Sequence, residues 1–468
     1  MSQAPLTPIP KTPLSVADDN NKRSIPAVDA ILQAVGDTDL PHPLLLATIR
    51  GELNRLRLSG DIPDRETVIE QVKASVERMI RSRIQPVINA TGIIVHTNLG
   101  RSPVGPEVVE ALRQIAGHYN NLEFDLGTGE RGPRVAYVEA GLATLCQAEA
   151  ATVVNNCAAA LVLILREFTA ERREVIVSRG ELIQIGGGFR IPDILETSGA
   201  RLREVGTTNR TEVTDYRKAV GDSSGLILKV HRSNFFMDGF VESPSRAELA
   251  GLAKETGTPL VEDLGSGALT ETAKTDGLSH EPTPAEAIKG GVDLVCFSGD
   301  KLMGGPQAGI IAGSADLVAR LKRNPFFRAL RCDRLILAAM QTVVDQHLNG
   351  AETPVGTMMN TGTEELRSRA EKVCAALMDC PATLSVGDGK AQVGGGTLPR
   401  DVIPSVTVDV HMPDCSATKL AGRLRAATPP IVGYPSKKVL KLDLRTVFPE
   451  QDETLVHQLR QVLTACGT

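Results

Sequence analysis

The chain has 468 residues, with 51 lysines and arginines against 56 acids, a formal net charge of −5 and a pI near 6.0. That balance excludes a globally basic nucleic-acid coat, although it allows a local RNA site, and the absence of tryptophan with aromatics at 3% leaves little for base-stacking platforms. Hydrophobic residues at 42% and charged residues at 23% are ordinary usage for a folded protein, in a length that suits about three domains.

Residues 1–25, rich in proline and polar side chains, read as a mobile tail without the apolar run of a secretory signal. From Ser24 to Ile84 the pattern turns helical, with helices expected around Val28–Ala34 and Pro43–Leu58. Between Asp64 and Arg83, Val68, Val72 and Val76 form an apolar stripe with Ile69, Met79 and Ile80, and Asp64 and Glu66 supply an acidic first turn. Residues 26–84 therefore form a small helical module. Its charge is near neutral, which leaves two readings open: a cap on the core or an RNA binder.

After Pro86, INATGIIVHTNLGRSP is glycine-punctuated and extended. From about Ala151 strands and helices alternate: ATVVNN, EVIVS, RLREVG, LILKVH, PLVEDLGSG, DLVCFSGDK and QAGIIAG. Near-continuous apolar strands between helices predict a buried, largely parallel sheet covered on both faces. A helix follows over Arg334–His347. From Gly362 a smaller α/β unit is expected, with helices Glu364–Met378, Ala417–Ala426 and Glu453–Leu463 and strands Ser405–Val410 and Val439–Leu444. The divisions are then 85–345 for a large domain with an N-terminal arm and 346–468 for a small one. The longest apolar stretch, Cys157–Leu165, is far short of the ~20 residues of a membrane-spanning helix, so a cytoplasmic location with no membrane partner is expected.

Ligands of open α/β sheets bind beyond the carboxyl ends of the strands, and three such ends stand out. In VVNNCAAA the helix start at Asn156, Cys157 and Ala158 offers free N–H groups for a phosphate, or simply a tight junction in the core. In LVEDLGSG, Asp263 ends a strand, where it could hold a ring nitrogen protonated or cap a turn. In VCFSGDKLMGGPQAG, Lys301 follows a buried strand within a glycine-bearing loop, the setting of a nucleophilic amine. Phosphate turn, aspartate and lysine together match pyridoxal 5′-phosphate: phosphate on the helix start, ring nitrogen on Asp263, aldehyde on Lys301. Ser298 would donate to the phosphate. His96 and His231 are the histidines expected near the site.

Other motifs fall away. Gly127–Gly132 spells G-x-G-x-x-G, but Pro133 follows and no clear strand precedes, so a dinucleotide fingerprint is rejected. Ser298–Lys301 spells S-x-x-K without its companion motifs. P-loop and zincin signatures are absent, and the eight scattered cysteines contain no C-x-x-C pair, so no metal is expected. Arg328, Arg331 and Arg334 are spaced three apart. On a helix, Arg328 and Arg331 would share a face and could clamp one anion, or form a solvated basic surface.

INATGIIVHTNLGRSP, GTGERGPR, VNNCAAALVL, VEDLGSG, FSGDKLMGGPQAGII and RALRCDRL together resemble the bacterial selenocysteine synthases, L-seryl-tRNA(Sec) selenium transferases. The resemblance runs from about Ser24 to the C-terminus, with Cys157 standing where a third asparagine is expected. It implies a fold-type-I pyridoxal-phosphate enzyme with a mostly parallel seven-stranded large domain, a small C-terminal α/β domain and an N-terminal helical domain that reads tRNA. It further implies Lys301 as the Schiff-base lysine, Asp263 at the ring nitrogen, and Arg101, Arg328 and Arg331 on the anion of selenophosphate. The expected reaction converts seryl-tRNA(Sec) to selenocysteinyl-tRNA(Sec) by β-elimination through an aminoacrylyl-tRNA, in a homo-oligomer built as a ring of dimers, with no DNA partner. The alternative is a related lyase acting on a small amino acid or a phosphorylated amino-sugar acid. Arg445, where a small-molecule enzyme of this class might bind a carboxylate, has no settled role.

Overall fold

A computed structural model of the chain describes residues 25–59, 62–184, 188 and 190–467, so nearly all of the expected N-terminal tail lies outside the described residues. The chain divides into two compact units, 1–86 and 87–468. In the first, helices α1 (Val28–Val35), α2 (His42–Ser59) and α3 (Arg65–Arg81) bury the stripe anticipated from spacing. Ile31, Ile49, Val68 and Val72 are fully buried together. Asp64 starts α3 because its Oδ1 accepts from the N–H groups of Glu66 and Thr67, at 3.0 and 2.9 Å.

The second unit opens with the short strands β1 (Ile88–Asn89) and β2 (Ile93–Val95), then α4 (Pro106–Ala116) and α5 (Ala136–Cys146). Alternation follows: β3 (Ala150–Val154), α6 (Cys157–Phe168), β4 (Glu174–Ser178), α7 (Ile191–Ser198), β5 (Arg201–Val205), α8 (Val213–Ala219) and β6 (Ser224–Val230). It continues through α9 (Arg246–Thr256), β7 (Leu260–Gly265), α10 (Pro284–Lys289), β8 (Leu294–Ser298), β9 (Gly309–Gly313), α11 (Ala315–Arg323) and α12 (Arg334–Leu348). The seven strands form one sheet in the order β3-β9-β8-β7-β6-β4-β5, and β9 alone runs against its neighbours. Successive side chains serve opposite cores. Ile176, Ile227, Val295 and Ile310 pack toward α4, α5, α9 and α12. Val175, Val177, Leu228 and Ile311 pack toward α6, α7 and α11. Burial on both faces is why the inner strands are largely apolar, while the edge strand β5, RLREV, is mostly exposed.

The chain then forms α13 (Pro354–Asn360), α14 (Thr363–Ala376), β10 (Thr383–Gly394), β11 (Ile403–His411), α15 (Ala417–Arg425), β12 (Ile431–Val432), β13 (Tyr434–Ser436), β14 (Val439–Asp443) and α16 (Asp452–Gly467). Strands β13-β14-β11-β10-β2 make a second sheet, so the extended arm after Pro86 is bound into it by β2 and, through the pair β1-β12, alongside it. The long strand β10 was not anticipated. Its glycines disguise it, yet they are required: a Cβ on Gly387 would lie 2.5 Å from Asp409 Oδ2, and one on Gly389 would lie 2.7 Å from Asp443 Oδ2. Among the described residues no helix is long and apolar enough to cross a membrane.

Candidate active site

Lys301 sits in the connection from β8 to β9, which is a hairpin pinned at several points. Gly299 N–H donates to Ala308 O at 2.9 Å, Gly305 N–H to Gly299 O at 2.8 Å, and Leu302 N–H to Ser266 O at 3.1 Å. The lysine is half-buried. Beside it, β7 ends at Gly265 in a left-handed conformation (φ 66°). A Cβ built there would lie 3.9 Å from each of three atoms: Lys301 Nζ, Asp263 Oδ1 and Ser233 Oγ. Those three groups therefore border one small space, and the left-handed backbone beside it is what calls for glycine.

Asp263 is half-buried, with the Cys157 thiol donating toward its Oδ1 at 3.7 Å. Burial pushes its carboxyl above the ordinary range, against the pull of Lys301, Cys157, Cys296 and His231. A carboxylate raised in this way gains from a cationic partner. His231 donates its backbone N–H to Asp263 O at 2.8 Å, and its Nε2 lies 3.0 Å from Oε1 of the buried Glu281, near in distance but misaligned for a hydrogen bond. His96 stands next to Arg101, bridged to it by backbone pairing, and burial holds its imidazole below the ordinary value.

Helix α6 begins where β3 ends. Asn156 caps it, its Oδ1 accepting from Ala159 N–H at 2.8 Å, while Asn156 O takes Ala160 N–H. The N–H groups of Cys157 and Ala158 are left without a partner among the described residues, as a bound phosphate would require. Gly309 on β9 lets the strand press against this turn, since a Cβ there would lie 2.1 Å from Asn156 O. Ser298 ends β8 with its hydroxyl unpaired among the described residues, and the fully buried Ser266 Oγ also lacks a partner. Open helix N–H groups, orphaned hydroxyls, a raised carboxyl and a nearby amine are a donor set that fits pyridoxal phosphate. Ser233, Ser266 and Asp300 belong to this set although no sequence motif marks them; each lies within three residues of a strand end or of Lys301, the one signal available.

Arg101 adopts a left-handed conformation (φ 67°), held by its N–H to His96 O at 2.9 Å, and its Nη1 lies 2.5 Å from Asp300 Oδ2. Asp300 is 5% exposed and its N-terminal neighbours are locked by the hairpin, so Arg101 is anchored next to Lys301. The α-helix expected to carry Arg328 and Arg331 on one face is not formed. Pro325–Leu330 is a 3-10 turn capped by Asn324, Arg331 is extended, and Asp333 starts α12 afresh at Arg334. Arg334 turns to Ala116 O at 3.1 Å. Arg328 and Arg331 make no hydrogen bond or ion pair among the described residues, and Arg331 Nε is buried and unpartnered. Their turn is tied to the junction of β3 and α6, because Asn155 N–H donates to Leu330 O at 3.0 Å. Behind them Glu123 pairs with Arg131 and Arg134, each at 2.7 Å, and these arginines with Arg331 hold its carboxyl below the usual range.

The GTGERG segment is a turn closed by Asp125, whose Oδ1 accepts from Gly127 and Thr128, with neither strand nor helix of a dinucleotide site. Arg445 is 3% exposed and spends its guanidinium on main-chain carbonyls: Nη1 on Met358, Met359 and Thr361, Nη2 on Pro404. It is a structural clamp.

A family model described as L-seryl-tRNA selenium transferase matches residues 87–448. The chain is similar to proteins named L-seryl-tRNA(Sec) selenium transferase: 44% identical to that of Carboxydothermus hydrogenoformans over 92% of this chain and 95% of the relative, and 42% identical to that of Hyphomonas neptunium over 95% and 99%. It is 40% identical to that of Aquifex aeolicus over 94% and 99%. Among solved structures, a D-glucosaminate-6-phosphate ammonia-lyase superposes with a TM-score of 0.57 at 19% identity, covering 84% of this chain and 99% of that one. The architecture is that of the fold-type-I pyridoxal-phosphate enzymes.

Proposed function

We infer the reaction from one premise: the chain belongs to the L-seryl-tRNA selenium transferase family. It is a pyridoxal-phosphate-dependent transferase that replaces the hydroxyl of seryl-tRNA(Sec) by selenium. The observation that carries this reading in the structure is the convergence of Lys301 Nζ, Asp263 Oδ1 and Ser233 Oγ around Gly265.

When bound, the coenzyme supplies an electrophilic carbonyl and a sink for charge left at a substrate α-carbon. The chain's residues do the rest. Lys301 would hold that carbonyl, and its amine, when free, would take the α-proton of the substrate. Asp263 holds a proton on the ring nitrogen. Cys157 and Ala158 N–H, with Ser298, hold the phosphate, and Asn156 fixes the turn that presents them. Arg101, kept in place by Asp300, acts with Arg328 and Arg331 on the anion of selenophosphate as it approaches the β-carbon; three guanidinium forks suit an oxyanion better than any single lysine. The unpaired state of Arg328 and Arg331 supports that role.

The substrate is an ester and carries no free carboxylate, which agrees with an Arg445 already committed to carbonyl oxygens. Residues 26–84, as a helical domain, bind the tRNA. The site is completed in a homo-oligomer, a ring of dimers working in the cytoplasm, and the exposed Tyr119 and Leu126 supply apolar surface for such contacts.

Incubation with seryl-tRNA(Sec) and selenophosphate, with free serine and phosphorylated amino-sugar acids as competitors, tests the reading. Selenocysteinyl-tRNA forms and the small molecules are left unchanged; turnover of the small molecules alone would favour a lyase. Borohydride reduction is expected to fix the coenzyme's mass on the peptide holding Lys301. Removal of residues 1–84 abolishes tRNA binding while visible cofactor absorbance persists.

A further inference from the structure

The cysteines are scattered in sequence, but folding brings two of them to Asp263. Cys157 is the first residue of α6 and Cys296 lies on β8, in register with Asp263 on the adjacent strand β7. One donor atom from each of the three residues lies within 4.8 Å of the others. Around a tetrahedral zinc ion, thiolate and carboxylate donors sit roughly 3.5–3.8 Å apart, and Cys157 Sγ is already 3.7 Å from Asp263 Oδ1. All three donors stand on strands or on a helix start, so small side-chain movements complete the set.

We propose that the cofactor-free chain binds one thiophilic divalent cation, of the zinc or cadmium kind, through Cys157, Asp263 and Cys296. Two sulfur donors select such ions over magnesium or calcium. Cys296 is fully buried, whereas Cys157 and Asp263 are partly open, so the ion enters from the cleft that serves the coenzyme. The fourth position remains for water. Binding converts two thiols to thiolates and releases two protons per ion. The complex then carries one net negative charge, beside an amine on Lys301 that already acts on Asp263. Because the ion takes the carboxylate, it competes with the coenzyme; that consequence, though not the binding itself, rests on the reading of Asp263 given above.

The test uses the full-length chain stripped of coenzyme with hydroxylamine. Titration with Co2+ is expected to give a thiolate-to-metal charge-transfer band at one equivalent, with two protons released, and Mg2+ is expected to give none. Cys157→Asn and Cys296→Ala each remove the band, with thermal melting run alongside to verify folding; Cys157→Asn, at a partly open helix start, serves if the buried substitution unfolds the chain. Zn2+ bound beforehand slows recovery of the visible coenzyme band at least tenfold, and a chelator restores it. No band, or a band that survives in folded Cys157→Asn, overturns the site. A cysteine-dependent band with coenzyme loading unchanged keeps the site and overturns the placement of the ring nitrogen on Asp263.

Discussion

Asp300 Oδ2 and Arg101 Nη1 meet at 2.5 Å across 199 residues of chain, directly beside Lys301. The carboxylate side chain is only 7% exposed and its second oxygen has no partner, so Arg101 is the one cation holding it among the described residues. Arg101→Ala should cost about 1–2 kcal/mol, the lower part of the range for a stranded buried acceptor because the arginine is itself a third exposed. Asp300→Asn added to it should recover most of that loss. Urea unfolding of the two single variants and the double variant gives the coupling; strict additivity would refute the pairing.

Arg328 and Arg331 have no hydrogen-bond or ion-pair partner among the described residues, which separates them from Arg101. Arg328→Ala should leave loss of the seryl hydroxyl intact while selenium incorporation falls about 100-fold, as when a charge-assisted contact to an anion is removed. Deuterium exchange at the seryl α-carbon, followed with and without selenophosphate, distinguishes the two steps. An unchanged selenocysteine yield rejects the role.

Arg445 gives up four carbonyl partners if truncated. Arg445→Ala should destabilise the chain by about 3–5 kcal/mol, since the carbonyls of Met358, Thr361 and Pro404 would be stranded in a buried place. Free serine should compete no better or worse against the variant. A change in serine inhibition without a fall in melting temperature would restore a substrate-binding role.

His347 Nε2 lies 2.9 Å from Met303 O, next to the lysine hairpin, and burial holds its imidazole below the ordinary 6.5. The native state therefore resists protonating it, while the unfolded chain does not. The stability it contributes is complete above pH 6.5 and is lost as pH falls toward the depressed native value. His347→Gln should flatten the melting temperature between pH 7 and pH 5 compared with the parent. An equally steep fall in both would assign the acid sensitivity elsewhere, with the half-buried His96 as the next candidate.

Gly309→Ala places a methyl group 2.1 Å from Asn156 O and 2.8 Å from Cys157 N. The helix start has to retreat, at a cost of about 3 kcal/mol. Cofactor affinity should weaken together with stability, because the same turn offers the proposed phosphate donors. Equilibrium dialysis against the coenzyme checks this; a destabilised variant that retains full affinity would separate the turn from the phosphate.

The inner strands of the large sheet were readable because both faces are buried, so the apolar signal is strong in EVIVS and LVCFS, whereas the edge strand RLREV is mostly exposed and charged. Strand β10 was not readable, since its glycines reflect carboxylates pressing from β11 and β14, which no local pattern reveals. The helix expected around Arg328 and Arg331 failed for the opposite reason. Their period is helical, but Asn324–Pro325 and Asp333 are starting signals that cut the segment in two. Lys301 and Asp263 stood out as strand-end residues, whereas Ser233 and Asp300 matter only through what lies across from them. The Cys157–Cys296 neighbourhood depends on strand order, which spacing along the chain does not encode.

The reversed direction of β9 limits how Lys301, the proposed nucleophile, can travel. Both flanks of the β8–β9 hairpin are stitched into the middle of the sheet, so no crossover helix is available there to swing like a door. The amine at position 301 is left with the rotations of its own four-carbon stem. Exchange of one partner for another at that nitrogen is then a side-chain event on a fixed platform, and any larger gating needed to admit a folded nucleic acid has to come from other parts of the protein.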